Sequence, residues 1–196
     1  MDPKAIEKCH TRLRHARKSI AEMETCTDFV PFSDAWVQFL QAWKGVFTQL
    51  EQGAKNFPAS RQWYGTTVKT ERKDDPLLRY LFASRDDEEH SLERPVHEGR
   101  DVLFSVKPDT EYEQLIRNQD GMPVLRETAT KRIVEPEMIS SSPAALHFVT
   151  ERGGNQVGPP LKHLGSTLSD ISAIHIAKLG LAYVENLVKT AESMQP

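Results

Sequence analysis

The stretch that decides the fold is Asp75-Pro76-Leu77-Leu78-Arg79-Tyr80-Leu81-Phe82-Ala83-Ser84-Arg85-Asp86-Asp87-Glu88-Glu89-His90. Its first two residues indicate the start of a helix, because an aspartate side chain caps free backbone N–H groups and a proline suits the first helical position. Apolar residues follow at helical spacing and predict an inward face made of Leu77, Leu78, Leu81 and Phe82. The stretch therefore predicts an amphipathic helix that packs into a helical core.

Three more helices are predicted, two before this stretch and one near the end of the chain. Asp2-Pro3 repeats the start signal, and an apolar seam follows it at Ile6, Cys9, Leu13, Ala16, Ile20 and Met23. Phe29-Val30-Pro31-Phe32 should end this first helix, and Ser33 should cap a second helix that ends near Gly53. The second helix has the bulkiest apolar face, made of Trp36, Phe39, Leu40, Trp43, Val46, Phe47 and Leu50. A last helix is expected to begin within 166–170 and to run to about Ser193.

Between about Pro95 and Gly165 the helical spacing gives way to short β-branched or aromatic runs separated by turn residues. Among these turns, the glycine-rich segment 153–158 predicts a hairpin. We therefore predict an α+β fold: an antiparallel helical bundle of four main helices, with a small antiparallel β meander inserted before the last helix. In this prediction residues 1–196 form a single domain, with the bundle in 1–92 and 167–194 and the β-rich insertion in 95–165.

Composition limits the setting and the partners. The chain has 196 residues and a net charge of -3, and it contains no apolar run near the roughly 20 residues that cross a bilayer. Cys9 and Cys26 fall on the same predicted helix about 25 Å apart, which is too far for a disulfide. Because the N-terminus also lacks a secretory signal, we expect a cytoplasmic protein with no membrane partner. Any polyanion would need a local basic patch.

Arg85 and His90 are the residues with the most distinctive chemistry. An arginine that stays charged and a histidine that titrates near neutral pH, placed together at a helix end, suit the handling of phosphate esters. A second interpretation stays open, because Arg85 shares a helix face with Leu81 and could simply pair with Glu89 four residues later. On a regular helix Arg85 and His90 diverge by roughly 140°. They therefore converge only if the helix frays or a second subunit contributes.

The pattern Arg85-Asp86-x-x-x-His90, on a helix within a bundle, resembles the signature of the HEPN superfamily, an arginine and a histidine separated by four to six residues. The segments 75–81 and 163–165 also resemble a bacterial subgroup of that superfamily. The resemblance covers the bundle and implies metal-independent RNA cleavage in a homodimer whose two motifs face one cleft. In that chemistry His90 would move the 2′-hydroxyl proton, Arg85 would stabilise the phosphate and Asp86 would orient one of them.

The same resemblance implies several biological roles. A ribonuclease of this kind acts as a toxin or a phage-defence component, with an antitoxin or another protein as its partner. Many HEPN-like proteins are non-catalytic, so an interaction or regulatory module with a structural Arg85 is the alternative. The charge balance favours that alternative, since residues 61–100 contain eight basic and nine acidic side chains and do not form a uniformly basic RNA groove.

Metal and cofactor chemistry receive little support from the sequence. Asp87-x-x-His90 has the spacing of a di-iron helix motif, but such a site needs a matching motif and two further glutamates on other helices. The second helix offers only Asp34 and Glu51, and the acids of the last helix lie far apart. Segment 153–158 lacks the Gly-Lys-Ser/Thr ending of a nucleotide-binding loop. We therefore predict no metal site and no cofactor.

Overall fold

A computed structural model describes residues 1–90, 94–116, 123–139, 142–151 and 153–195. Helices and small antiparallel sheets are both present, which confirms the α+β class. The helical elements are α1 (Pro3–Thr25), α2 (Phe29–Ala54), α3 (Pro58–Trp63), a π-helical turn (Tyr64–Val68), α4 (Lys69–Asp74), α5 (Pro76–His90) and α6 (Ala173–Glu192). The arrangement differs from a simple four-helix bundle, because three short helical segments join α2 to α5.

The starts of α1 and α5 follow the predicted caps. The Asp2 carboxylate accepts a hydrogen bond from the backbone N–H of Lys4, and the Asp75 carboxylate accepts one from Leu78. The predicted cap at Ser33 is wrong: α2 already begins at Phe29, and Ser33 is buried inside it. Pro31 is compatible with this earlier start because the first four N–H groups of a helix have no partner within it.

The core is centred on aromatic side chains of α2. The rings of Trp43, Phe47 and Phe82 meet edge to face, with centroids 4.8–4.9 Å apart. The indole N–H of Trp43 also donates to the backbone oxygen of Gly180, 2.8 Å away. A Cβ atom on Gly180 would lie only 2.6 Å from a methyl carbon of Leu81. The absence of a side chain at Gly180 therefore lets α6 approach α2 and α5 closely.

Within the described residues, the β-rich region contains five small antiparallel sheets. Its strands are β1 (Val96–Glu98), β2 (Val102–Leu103), β3 (Tyr112–Ile116), β4 (Pro123–Glu127), β5 (Ile133–Val134), β6 (Met138–Ile139), β7 (Ala144–Leu146), β8 (Val149–Thr150), β9 (Gln156–Val157), β10 (Lys162–His163) and β11 (Ser166–Thr167). Among the described strands, β3, β4 and β5 form a meander, whereas β1 pairs with β7 and β2 with β6. The hairpin predicted at 153–158 is confirmed, since β8 and β9 pair across it. The prediction of one meander is therefore correct for only part of the region.

The first turn of α6 joins the β-rich region to the bundle. The helix begins at Ala173, later than predicted, because β11 occupies the preceding segment and Ser172 supplies the cap. The buried carboxylate of Asp101 accepts hydrogen bonds from the backbone N–H groups of Ala173, at 2.9 Å, and Leu146, at 3.3 Å. Burial raises the pKa of this carboxyl to about 7, because its effect is larger than that of the two hydrogen bonds, which lower the pKa.

Within the described part of the chain, no helix is long and apolar enough to cross a membrane.

Candidate functional site

A cleft of about 560 Å³ opens between α4, α5 and the β8–β9 hairpin. Four basic, three acidic and three uncharged residues line it: Lys69, Arg72, Lys73, Arg79, Glu51, Asp86, Glu151, Phe82, Ala83 and Gly153. Three consecutive helical segments precede α5, and Tyr64 anchors them to α2 by donating its hydroxyl to the backbone oxygen of Phe47. The basic side chains of α4 line the cleft together with Arg79, Phe82, Ala83 and Asp86 of α5.

Each carboxylate of the cleft already has a cationic partner. Glu51 pairs with Lys69 at 2.9 Å, and Asp86 pairs with Lys44 of α2 at 2.8 Å. Glu151 receives two hydrogen bonds from the Arg79 guanidinium, at 2.6 and 2.8 Å.

The Arg79 hydrogen bonds hold the pKa of the Glu151 carboxyl below its ordinary value. Glu151 therefore stays ionised and keeps the β8–β9 hairpin against α5.

Arg72 and Lys73 are the cations of the cleft that no carboxylate neutralises within the described residues. The Arg72 guanidinium carbon lies 3.8 Å from the centre of the Phe82 ring, a cation–π contact. This contact fixes the guanidinium over an apolar wall without using its N–H donors. The cleft therefore offers an anion one positioned arginine and one lysine beside it.

A buried acid–histidine pair supports the end of the cleft where α4 meets α5. Asp75 accepts hydrogen bonds from His163 Nδ1 at 3.1 Å and from the Leu164 N–H at 2.6 Å, in addition to its helix cap. The Asp75 and His163 side chains are only 6% and 10% exposed. Burial alone would raise the pKa of Asp75, but the hydrogen bonds outweigh it and hold the pKa below its ordinary value. The pair ties the β10–β11 turn to the start of α5.

The structure brings two of the three predicted catalytic residues together. Arg85 donates to the carboxylates of Glu89 and Asp86, its side chain is 18% exposed, and its buried Nε has no hydrogen-bond partner among the described residues. Asp86 lines the cleft and also accepts from Lys44. The side chain of His90 lies outside the described residues. Catalysis by Arg85, Asp86 and His90 therefore stays a prediction.

The basic residues of the cleft are not recognisable as a site in the sequence, because the balance of charge along the chain does not show which side chains lie together in the fold. Lys69, Arg72 and Lys73 lie among acids in the sequence, so a window over 61–100 is nearly neutral. Folding separates them, since Glu71 of the same helix faces away and accepts a hydrogen bond from Tyr183 at 2.6 Å. The available signal was the four-residue step from Lys69 to Lys73, which places both on one helix face.

Two other kinds of chemistry can be compared with the structure. The described residues contain no group of three or more histidine, cysteine, aspartate or glutamate side chains positioned to hold a metal ion. Burial raises the pKa of the Cys9 thiol to about 12, so this cysteine is a packing residue and not a nucleophile.

Comparison with known proteins adds no relative: no protein-family model, curated protein or solved structure matches this chain. The HEPN resemblance therefore stays a prediction that rests on the Arg85-to-His90 pattern and its helical setting.

Proposed function

We propose that this protein is RNA-associated and that the cleft between α4 and α5 holds an RNA phosphate. One observation carries the proposal: among the described residues, Arg72 and Lys73 have no carboxylate partner, in a cleft where each lining carboxylate is already paired. RNA as the polyanion is what the HEPN resemblance implies. The overall charge of -3 makes such a local site necessary, because the whole molecule repels a polyanion.

The Arg72–Phe82 contact supports recognition of a nucleotide over that of a simple anion. A guanidinium resting on an aromatic ring leaves its second face open, and planar bases stack readily on guanidinium faces in single-stranded RNA complexes. Lys73 would meet the phosphate as a point charge. Together the two residues provide one stacking surface and one electrostatic contact for a single nucleotide.

For Arg85 the geometry favours a structural role. Its guanidinium is engaged by Glu89 and Asp86 and is mostly covered by protein. An arginine held in this way would have to break two ion pairs before it could reach a phosphate. This supports the alternative of a non-catalytic module, in which Arg85 holds the end of α5 and the cleft performs the binding.

Fluorescence anisotropy with a labelled single-stranded RNA tests the binding proposal. Lys73→Ala and Arg72→Ala should each weaken binding about tenfold, while Lys107→Ala, an exposed lysine that does not line the cleft, should leave it unchanged. Each lost phosphate contact should reduce the slope of log affinity against log salt by about 0.7. Equal effects of all three substitutions would show that binding is non-specific and would refute the proposal. Thermal unfolding of each variant checks that the fold is intact.

A metal-independent ribonuclease, acting as a toxin or phage-defence component, is the second candidate. The observation that favours it is the position of Asp86, which follows Arg85 in the motif and lines the cleft. Cleavage of RNA in the presence of a chelator, lost in Arg85→Ala and His90→Ala with unfolding unchanged, would support it. If the natural sequence does not cleave RNA and Arg85→Ala is destabilised, the ribonuclease candidate is excluded and the non-catalytic binding module is retained.

Homodimerisation is part of this second candidate, because a composite site needs the motifs of two copies. Sedimentation at micromolar concentrations should then show a dimer. A strictly monomeric chain would remove the composite site but not the binding proposal. The antitoxin partner is tested by co-expression, which should relieve any growth arrest that the chain causes.

A further inference from the structure

A second basic surface shares no lining residue with the cleft. It is a groove of about 290 Å³ between α1 and α2. Arg12, His15 and Lys18 of α1 form one wall, Gln38 and Gln41 of α2 form the other, and Ser19 and Ala42 lie at the base. The described residues that line it include no carboxylate, and none of them lines the cleft.

The position of Arg12 depends on a glycine of α2. A Cβ atom on Gly45 would lie 2.9 Å from Cδ and 3.0 Å from Nε of Arg12. The Arg12 side chain therefore lies flat across the backbone of α2 at this point. Contact with a rigid helix reduces the rotamer entropy that a free arginine loses when it binds a ligand.

The charges of α1 are distributed unequally around the helix. On the side facing α6, Arg17 pairs with Glu185 at 2.7 Å and His10 contacts Glu192 at 2.7 Å. On the side facing the groove, Arg12 and His15 have no carboxylate partner within the part of the chain that the structure describes. The basic residues of α1 are therefore paired towards α6, whereas towards α2 Arg12 and His15 form no ion pair within the described residues and Lys18 contacts only Glu22, at 3.5 Å.

The facing surface of α2 does not neutralise the groove either. This helix contains only two acids, and both are engaged elsewhere: Asp34 with Arg94 at 3.1 Å and Glu51 with Lys69 at 2.9 Å. Lys18 contacts Glu22 at 3.5 Å, but its side chain is 75% exposed, so this pair has little strength. Gln38 and Gln41 contribute uncharged amide N–H donors, each of which forms a weaker hydrogen bond to an anion than a charged donor does.

We propose that the groove between α1 and α2 is a phosphate-binding site. A guanidinium, a lysine ammonium and two amides around about 290 Å³ match a phosphate group in charge and in the number of donors. The phosphate belongs to a free phosphorylated small molecule or to a nucleic-acid backbone, and the two sources share the chemistry that the groove recognises. The proposal is independent of the cleft.

Two-dimensional ¹H–¹⁵N NMR of the full chain tests the site, with orthophosphate in one arm and single-stranded RNA in the other. Potassium chloride at matched ionic strength is the control for screening. We expect saturable shifts of the Ser19 and Gly45 amides in at least one arm. Arg12→Ala should weaken binding about tenfold. Arg14→Ala, which removes an exposed arginine that does not line the groove, should change binding less than twofold.

The two arms distinguish the sources. Saturation by millimolar or lower orthophosphate indicates a small phosphorylated ligand, whereas a response to RNA alone indicates a backbone site, and Arg12→Ala must weaken whichever response occurs. Gly45→Ala should also weaken it, because the new methyl group displaces Arg12. No saturable shift in either arm, or equal losses in Arg12→Ala and Arg14→Ala, would overturn the proposal.

Discussion

Replacing Gly180 with alanine tests whether the close approach of α6 to α2 holds the core together. The new Cβ atom would lie 2.6 Å from Leu81 Cδ1, 3.3 Å from Trp43 Nε1 and 3.6 Å from Phe39 Cζ. All three neighbours are fully or almost fully buried, so they have little space into which to move. The methyl group should therefore push α6 outward and stretch the hydrogen bond from Trp43 to Gly180.

The magnitude follows from three contributions. Overpacking a tight core costs about 1–3 kcal/mol, and weakening the indole hydrogen bond costs about 1 kcal/mol. Alanine recovers about 1 kcal/mol through its higher helix propensity. The free energy of unfolding of Gly180→Ala should therefore fall by about 1–3 kcal/mol, which lowers the melting temperature by roughly 3–9 °C for a domain of this size.

Urea unfolding followed by tryptophan fluorescence measures this change. Gly65→Ala is the matched control, because a Cβ atom on Gly65 has no neighbour within 4 Å and should leave stability equal or slightly higher. If Gly180→Ala is as stable as the natural sequence, the close packing of α6 on α2 and α5 is refuted.

Three further predictions concern titratable groups. Folding raises the pKa of Asp101 from its ordinary 3.8 to about 7, so the protonated carboxyl contributes stability below pH 4 that is lost as the pH rises through 7. This loss amounts to at most roughly 4 kcal/mol in the free energy of unfolding. Urea unfolding between pH 4 and pH 7 should show the decline for the natural sequence and not for Asp101→Asn. The pKa of Asp75 is lowered in the fold, so the stability that its ionised carboxylate contributes is lost as the pH falls through that pKa. His163→Ala removes one hydrogen bond to this carboxylate and should lower the free energy of unfolding by about 1–3 kcal/mol. Circular dichroism should then show acid unfolding that starts at a higher pH. Arg79→Ala should change stability by less than about 1 kcal/mol, because the pair is partly exposed, yet raise the pKa of Glu151 in a carboxyl NMR titration; an unchanged pKa would contradict the bidentate contact.

Elements whose signals are local could be predicted from the sequence. Asp2 and Asp75 each cap a helix within a few residues, so both helix starts were correct. The predicted start of α2 was wrong, because a proline is compatible both with a break and with the first turn of a helix, and Pro31 lies in the first turn. The α+β class followed from the change of apolar period, which needs no knowledge of pairing.

Features that depend on distant pairing could not be predicted. Strand β1 pairs with β7 and β2 with β6, and each pair encloses the β3–β4–β5 meander that local turn signals do reveal. The candidate site shows the same limit. The cleft needs Glu151 to meet Arg79 across 72 residues, and no motif in the sequence records that contact. The sequence therefore indicated Arg85, whose ion-pair partners are close in sequence, and not the basic residues of α4.

The partnership of α6 with α1 and α2 also bears on how the molecule reaches its native state. The ion pair of Arg17 with Glu185 joins positions 168 residues apart, whereas α1 and α2 are adjacent in sequence and can associate early. In the native state Trp43 is fully buried and donates to Gly180, so the docking of α6 completes the cover over this side of α2. Because the entropy cost of closing a loop grows with its length, we expect the docking of α6 to be the slow step of folding.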